Sequence, residues 1–337
     1  MSRRWMTAAL LALAITAVAC GDDNEAAQAS GSITVYSGRS EDLIGTLVAQ
    51  FEASTGIDVN VRYGSTSEMA ALLAEEGSSS PADVFWAQDA GALGALQADG
   101  LFTKLPDRLL DKVPAAYRSE QGNWVGVSGR VRVIAYNPTL APEAELPASV
   151  DQLTDPKWKG KVGWAPSNGS FQLFLTAFRK LKGDDAARAW LEGMKANGAK
   201  TFPGNTPIVE AVAAGEIPLG LVNHYYAFAH LAENPDAKVA DHFLPDGDVG
   251  GLVNVSGVGV LKTSKNTAAA ERFIEFLLSA EGQAYFVSET FEYPLAGSAQ
   301  PDARLPKLDT LQPPTVDLSD LADLDGTLKM LQGVGLL

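Results

Sequence analysis

From Ile33 onward the chain alternates the two periods by which a polypeptide buries one face, and this alternation restricts its fold more than any other feature. Ile33-Thr34-Val35-Tyr36 reads as a strand, and Leu43, Ile44, Leu47, Val48 and Phe51 then fall on one face of a helix that Gly56 ends. Ile57, Val59, Val61 and Tyr63 alternate with Asp58, Asn60 and Arg62 at the period of a half-buried strand. Ser65-Thr66-Ser67-Glu68 is a capping pattern that starts a second helix, marked by Met69, Leu72 and Leu73. Ala82-Asp83-Val84-Phe85-Trp86 is a third strand, followed by a helix over 90–96 and a stop at Gly100. This order predicts an α/β fold with parallel strands and helices on the faces of the sheet.

The pattern breaks once. Segments 124–127 and 131–136 are both strand-like with no helix between them. The alternation then restarts, with strands over 162–164, 217–222 and 253–261 and helices over 171–181, 186–196 and 208–214. Asn266 is placed to cap a long amphipathic helix in which Phe273, Phe276, Leu277 and Ala280 share a face. With 337 residues there is room for two domains of ordinary size, and two α/β lobes fit the order of elements better than one very wide sheet. Ligands of such lobes sit beyond the carboxyl ends of strands and in the cleft between lobes. The segments to inspect are therefore Ser37-Gly38-Arg39-Ser40-Glu41, Ala87-Gln88-Asp89, Tyr136-Asn137, Pro166-Ser167-Asn168-Gly169-Ser170 and Asn223-His224-Tyr225-Tyr226.

Composition narrows the ligand. The net charge is -15, from 41 acidic against 26 basic residues, which argues against nucleic acid because such binders need a basic surface to displace counterions. A single cysteine excludes an intrachain disulfide or a cysteine-built metal cluster. Three histidines, His224, His230 and His242, leave almost none to spare for a multi-histidine metal site. There is no Gly-x-Ser-x-Gly elbow and no His-Glu-x-x-His, so an extracytoplasmic hydrolase is the least supported class.

At the N-terminus, Arg3 and Arg4 precede an apolar stretch over 5–19, too short to span a bilayer comfortably but suited to a secretory signal. Ala17-Val18-Ala19-Cys20 resembles the lipobox of bacterial lipoproteins, with Ala17 where the usual leucine stands; that resemblance implies removal of residues 1–19 and lipidation of Cys20. Ser2-Arg3-Arg4 also resembles a twin-arginine signal, which leaves the export route open. Residues 20–30 read as a flexible tether, placing the remainder outside the cytoplasm on a lipid anchor.

Tyr225 and Tyr226 follow a strand and open a helix, where adjacent side chains diverge by roughly 100 degrees and both phenols can lean toward one point. Tyr136 ends another strand. A phenol, with a reference pKa of about 10, ionises at neutral pH only beside strong positive charge, and phenolate oxygen is a hard donor suited to a hard metal ion. Three tyrosinates would match a ferric ion in charge.

These residues carry a resemblance. Gly129-Arg130-Val131-Arg132-Val133-Ile134-Ala135-Tyr136-Asn137, the Tyr225-Tyr226 pair, Pro81-Ala82-Asp83-Val84-Phe85 and the helix ending Leu277-Leu278-Ser279-Ala280-Glu281-Gly282-Gln283 are similar to those of the bacterial periplasmic ferric-iron-binding proteins, transferrin-like receptors that deliver Fe(III) to an ABC importer. The resemblance implies a two-lobed, type II periplasmic binding protein fold with hinge strands and an interlobe cleft. It implies a first lobe of 31–129 with 256–306, and a second of 130–255 with 307–337 packing on it. It also implies Tyr136, Tyr225 and Tyr226 as metal ligands, with Arg39 and Arg130 holding a synergistic carbonate or bicarbonate through their planar donor forks.

Ser40 and Gln88 stand where another branch has His and Glu ligands, which points to the three-tyrosine branch and leaves a carboxylate role open to Glu41 or Asp89. Asn168, Gly169 and Ser170 before a helix, and Asn205 and Asn223, are further candidates near the anion. The expected partners are ferric iron, an ABC permease and, through the lipid, the membrane; the protein is expected to be a monomer. The alternative is a binding protein for another small solute, such as an oxyanion, thiamine or a polyamine.

Overall fold

The computed structural model describes residues 31–337, so the expected signal (1–19), Cys20 and the tether (20–30) lie outside the described residues. The predicted alternation begins at once: β1 (Gly31–Ser37), α1 (Glu41–Thr55), β2 (Ile57–Tyr63), α2 (Thr66–Glu76), β3 (Val84–Ala87) and α3 (Ala90–Ala98). Gly56 ends α1 and Ser65 starts α2 as expected, the latter through a complete capping box with Glu68. After the short α4 (Asp107–Leu110) the chain enters β4 (Val125–Tyr136), twelve residues long and buried throughout. The two strand-like segments around Gly129 are therefore one strand.

The second half follows with β5 (Val162–Trp164), α5 (Gly169–Lys182), α6 (Asp184–Ala196), β6 (Lys200–Thr201), α7 (Asn205–Ala213), β7 (Leu219–Asn223), α8 (His224–Glu233) and β8 (Ala240–His242). The chain returns through β9 (Val253–Val260), α9 (Thr267–Leu277), α10 (Ala280–Ser288) and β10 (Tyr293–Pro294), and closes with α11 (Leu324–Val334). The single long helix expected after Asn266 is two. Ser279 accepts from the Gly282 N–H and starts α10 afresh, while the Asn266 amide binds Asp83 instead of capping α9.

The main strand order is β2-β1-β3-β9-β4-β7-β5-β6, with β8 and β10 also pairing with β4. β1, β2 and β3 are parallel, and so are β5, β6 and β7. β4 joins the groups: its first part runs antiparallel to β9, and its last part, from Arg132 to Tyr136, antiparallel to β7. Helices cover both groups. Phe171, Phe174 and Phe178 of α5 pack with Trp190 of α6 over Trp164, an aromatic cluster in which each fully buried ring contributes about 1.5–3 kcal/mol.

The C-terminal segment reaches farther than its sequence suggests. α11 packs on α5 and α6, with Thr327 and Thr176 hydroxyls 2.7 Å apart and Lys195 Nζ donating to the Val334 carbonyl at 2.7 Å. Just before it, the turn Leu318–Ala322 lies against α3 in the other half. The approach is so close that a Cβ on Gly94 would fall 2.3 Å from the Ser319 carbonyl oxygen. Among the described residues no helix is long and apolar enough to cross a membrane.

Candidate metal centre

Loops at the carboxyl ends of β1, β2, β3, β5 and β7 converge on a cavity of about 310 Å³. One half of the protein contributes Gly38, Ser65, Thr66, Ser67, Gln88 and Asp89; the other contributes Ser167, Asn168, Gly169, Ser170, Gln172, Tyr225 and Tyr226. Two larger cavities, of about 670 and 450 Å³, lie beside Lys104 and beside Tyr117, and none of the sequence candidates lines them. Gly38 is required here by contact: a Cβ on it would sit 2.1 Å from Thr66 Oγ1, so only glycine lets the β1–α1 loop meet the start of α2.

The tyrosine pair is where the sequence puts it, in the first turn of α8. The two rings stack with centroids 4.3 Å apart and planes 29° apart, and Gln88 Nε2 donates to Tyr225 Oη across the cavity at 3.3 Å. Burial first, then the Tyr226 phenol, holds the Tyr225 hydroxyl well above the usual phenol range, against the opposing pull of Arg130. Ionising it therefore calls for a stronger positive charge than the protein supplies, which is what a multivalent cation brings. His224, next in the chain, is already satisfied: Nδ1 accepts from the Val131 N–H at 3.1 Å and Nε2–H donates to the Phe291 carbonyl at 2.8 Å. Burial holds its pKa down to about 4, so the ring is neutral, with no lone pair left for a metal.

Tyr136 is not part of this group. Register places Arg132 opposite Asn223 and Tyr136 opposite Leu219, so Tyr136 lies at the start of β7 while Tyr225 follows its end. The separation is four residues along the strand, roughly 13 Å at about 3.3 Å per residue. The cause is strand direction: β4 is antiparallel to β7, so their carboxyl ends point opposite ways. The Tyr136 hydroxyl is raised by burial and by nearby Glu143 and Asp241, none of which lines the cavity. The structure thus sets Tyr136 apart from the Tyr225–Tyr226 pair.

Arg39 is engaged elsewhere. Its Nη1 and Nη2 donate to Glu292 Oε1 and Oε2 at 2.8 and 2.7 Å in a fully buried fork-to-fork pair, so the guanidinium expected to hold the anion already holds a carboxylate. Arg130 differs. It is 1% exposed, and its Nε, Nη1 and Nη2 all lack a hydrogen-bond partner. A buried guanidinium with every donor free is costly, and an oxyanion relieves that cost. Arg132, two residues on, stacks over Phe171 and Phe174 and donates to the Leu221 carbonyl at 3.2 Å; burial lowers its pKa to about 9.

The remaining candidates divide. Asp89 lines the cavity but caps α3, Oδ1 accepting from the Ala92 N–H at 3.2 Å; burial raises its carboxyl and Arg130 lowers it. Gln88 lines the cavity through the bond just described. Glu41 is exposed in the first turn of α1, its charge felt by Tyr63, and is absent from the cavity lining. Asn168 caps α5 through the Ser170 N–H, with Gly169 between them, and Asn205 Nδ2 donates to both Asn168 and Ser170 at 3.3 Å. Asn223 Nδ2 and Asn205 Oδ1 are buried without partners.

Several contributors, Gln172 of α5 among them, escaped sequence reasoning. Ser65, Thr66 and Ser67 read only as a helix cap, and their place in the cavity follows from the β2–α2 junction. Glu292 carries no local signal at all, being 253 residues from the arginine it holds. Among the described residues, no cluster of three His, Cys, Asp or Glu side chains is placed to hold a metal ion.

Comparison with known proteins follows the same line. A family model described as bacterial extracellular solute-binding protein matches residues 79–320. The chain is 36% identical over 301 residues to the Fe(3+)-binding periplasmic protein of Serratia marcescens, covering 88% of each. It is 35% identical over 335 residues to the major ferric iron-binding protein of Neisseria meningitidis serogroup B, covering 97% of this chain and 98% of that one. Among solved structures, iron-bound HitA from Pseudomonas aeruginosa superposes with a TM-score of 0.85 at 35% identity, over 90% of this chain and 99% of that one. FutA of Trichodesmium in complex with iron and citrate superposes at 0.78 with 32% identity, again over 90% and 99%.

Proposed function

Because the chain belongs to the family of bacterial extracellular solute-binding proteins, whose two-lobed, type II fold it shares, we propose that it captures ferric iron between its lobes and delivers it to an ABC importer. The observation that carries the reading is the stacked Tyr225–Tyr226 pair at the mouth of α8, facing a cavity to which both halves contribute. Two phenolates neutralise two of the three ferric charges. The remaining positive charge, together with Arg130, calls for an anion, and carbonate or bicarbonate suits the free planar guanidinium. Asn223 Nδ2 and the start of α5 at Asn168 and Gly169 supply further donors to that anion, with Ser170 held by the Asn168 cap beside them.

In this reading the lobes comprise 31–129 with 256–306, and 130–255 with 307–337. The boundaries fall where β4 and β9 face each other at Gly129 and Val255, which makes this pair of strands the hinge. Closure swings Gln88 onto Tyr225, and the importer recognises the closed shape by its differential contacts. Residues 1–19 direct export and Cys20 carries the lipid anchor. The task is binding and release, with no covalent step.

Iron retention tests the reading. Wild-type protein loaded with ferric citrate in bicarbonate keeps its iron through a desalting column. Tyr225→Phe and Tyr226→Phe each weaken retention at least about tenfold, the equivalent of about 1.4 kcal/mol. Equal retention by both variants rules out the tyrosine site. The three free nitrogens of Arg130 favour one second reading, a metal-free oxyanion as the solute; there, anion binding saturates without iron and neither tyrosine variant alters it.

A further inference from the structure

Glu292 sits between α10 and β10 and is 1% exposed. Its carboxylate accepts four hydrogen bonds: two from Arg39, one from Ser128 Oγ at 3.1 Å and one from Thr290 Oγ1 at 3.0 Å. The backbone that presents it is unusual. Phe291 has φ 55, in the left-handed region that a bulky aromatic rarely occupies. Its carbonyl receives His224 Nε2–H at 2.8 Å, which ties this corner to the residue preceding the tyrosine pair. A strained corner, a buried carboxylate and a buried guanidinium are thus assembled within electrostatic reach of Tyr225 and Tyr226.

Arg39, Arg130 and Arg132 all lie within electrostatic reach of the tyrosines, and the structure treats the first two oppositely. Arg39 spends both terminal nitrogens on Glu292, leaving only Nε free, whereas Arg130 spends none. The difference between them is Glu292.

We propose that Glu292 is a specificity-determining residue of the cleft: by closing an ion pair with Arg39 it withholds that guanidinium from the anion and leaves Arg130 to receive it. The proposal rests on the part of the preceding reading that puts an oxyanion in the cleft, and not on iron. With Glu292 in place the site presents two unneutralised guanidinium groups beside the tyrosines, the free Arg130 and the stacked Arg132, and so less positive charge than it would with Arg39 released. With Glu292 neutralised it presents Arg39 too, and an anion of higher charge gains most, because Coulomb energy scales with the product of charges.

Calorimetric titration of metal-free protein with inorganic phosphate and with bicarbonate tests this. Glu292→Gln is expected to bind phosphate roughly tenfold tighter than wild type, with a smaller gain for bicarbonate. The double variant Arg39→Gln/Glu292→Gln, which replaces a neutral ion pair by a neutral amide pair, is expected to bind both anions within about threefold of wild type. The double variant guards against a Glu292→Gln protein that does not fold, since a roughly tenfold loss of anion affinity in it makes Arg39 an anion ligand and overturns the proposal. Unchanged phosphate affinity in a folded Glu292→Gln protein overturns it too, as does absence of anion binding in every variant. Ferric colour is read separately on the same samples, so a colourless wild type with the expected anion series defeats the iron reading alone.

Discussion

Tyr136 and Tyr225 carry the same side chain at the end of the same kind of segment, yet only one reaches the cavity. What separates them is the direction of their strands, a property that no residue states about itself. The prediction belongs to this scale: Tyr136→Phe leaves ferric loading and the accompanying visible absorbance as in wild type, whereas loss of the band on that change would return Tyr136 to the ligand set. The chemistry of individual residues was legible in the sequence where partners are close in the chain. Tyr225 and Tyr226 at a helix start, and the Ser65–Glu68 capping box, are of this kind. Pairings across the fold were not. Arg39 has an unremarkable neighbourhood in sequence, and its ion-pair partner is a glutamate 253 residues away.

At the level of elements, the alternation of periods located β1 through α3 because each buries one face at a regular spacing. It failed where burial is complete. β4 is buried on both faces, so no alternation marks its centre and Gly129 read as a break in it. The helix after Asn266 failed for another reason: apolar residues continue in register across Leu278 while the Ser279 cap restarts the backbone. β8 was missed altogether, three residues paired along the last part of β4. It holds Asp241, half-buried overall but with both carboxyl oxygens shut off from solvent and unpartnered, and burial raises its pKa well above the usual carboxylate range.

A raised native pKa has a definite sign. The unfolded chain ionises this group at a pH of about 4, so its contribution to stability is fully present below that and is lost as pH rises toward the native pKa. Asp241→Asn, which cannot ionise, is therefore expected to be more stable than wild type at pH 7, gaining about 1.4 kcal/mol for each pH unit above about 4 over which the native carboxyl stays protonated. The advantage shrinks as pH falls to about 4, and urea midpoints across that range check it. A difference independent of pH contradicts the assignment.

For the whole molecule, the two halves of the sheet meet at β4 and β9, the cleft opens at the strand ends beside that seam, and the segment from Leu318 through α11 touches both halves. The two-lobed arrangement was legible from the restart of the alternation after residue 136. The course of the C-terminal segment was not, since its contact with α3 depends on Gly91 and Gly94 exposing bare backbone to it. The acidic balance of the chain turned out to say little about the cavity, whose lining carries a single carboxylate, Asp89, and whose neighbouring Arg130 has no partner. The central claim is that this cleft binds ferric iron through two tyrosinates, and an absorbance titration of the purified protein with ferric citrate in bicarbonate tests it most directly. The account predicts a visible tyrosinate-to-iron charge-transfer band that saturates at a single ferric ion per chain and is absent from the Tyr225→Phe/Tyr226→Phe double variant. No band in the wild type, or an undiminished band in that variant, would contradict it.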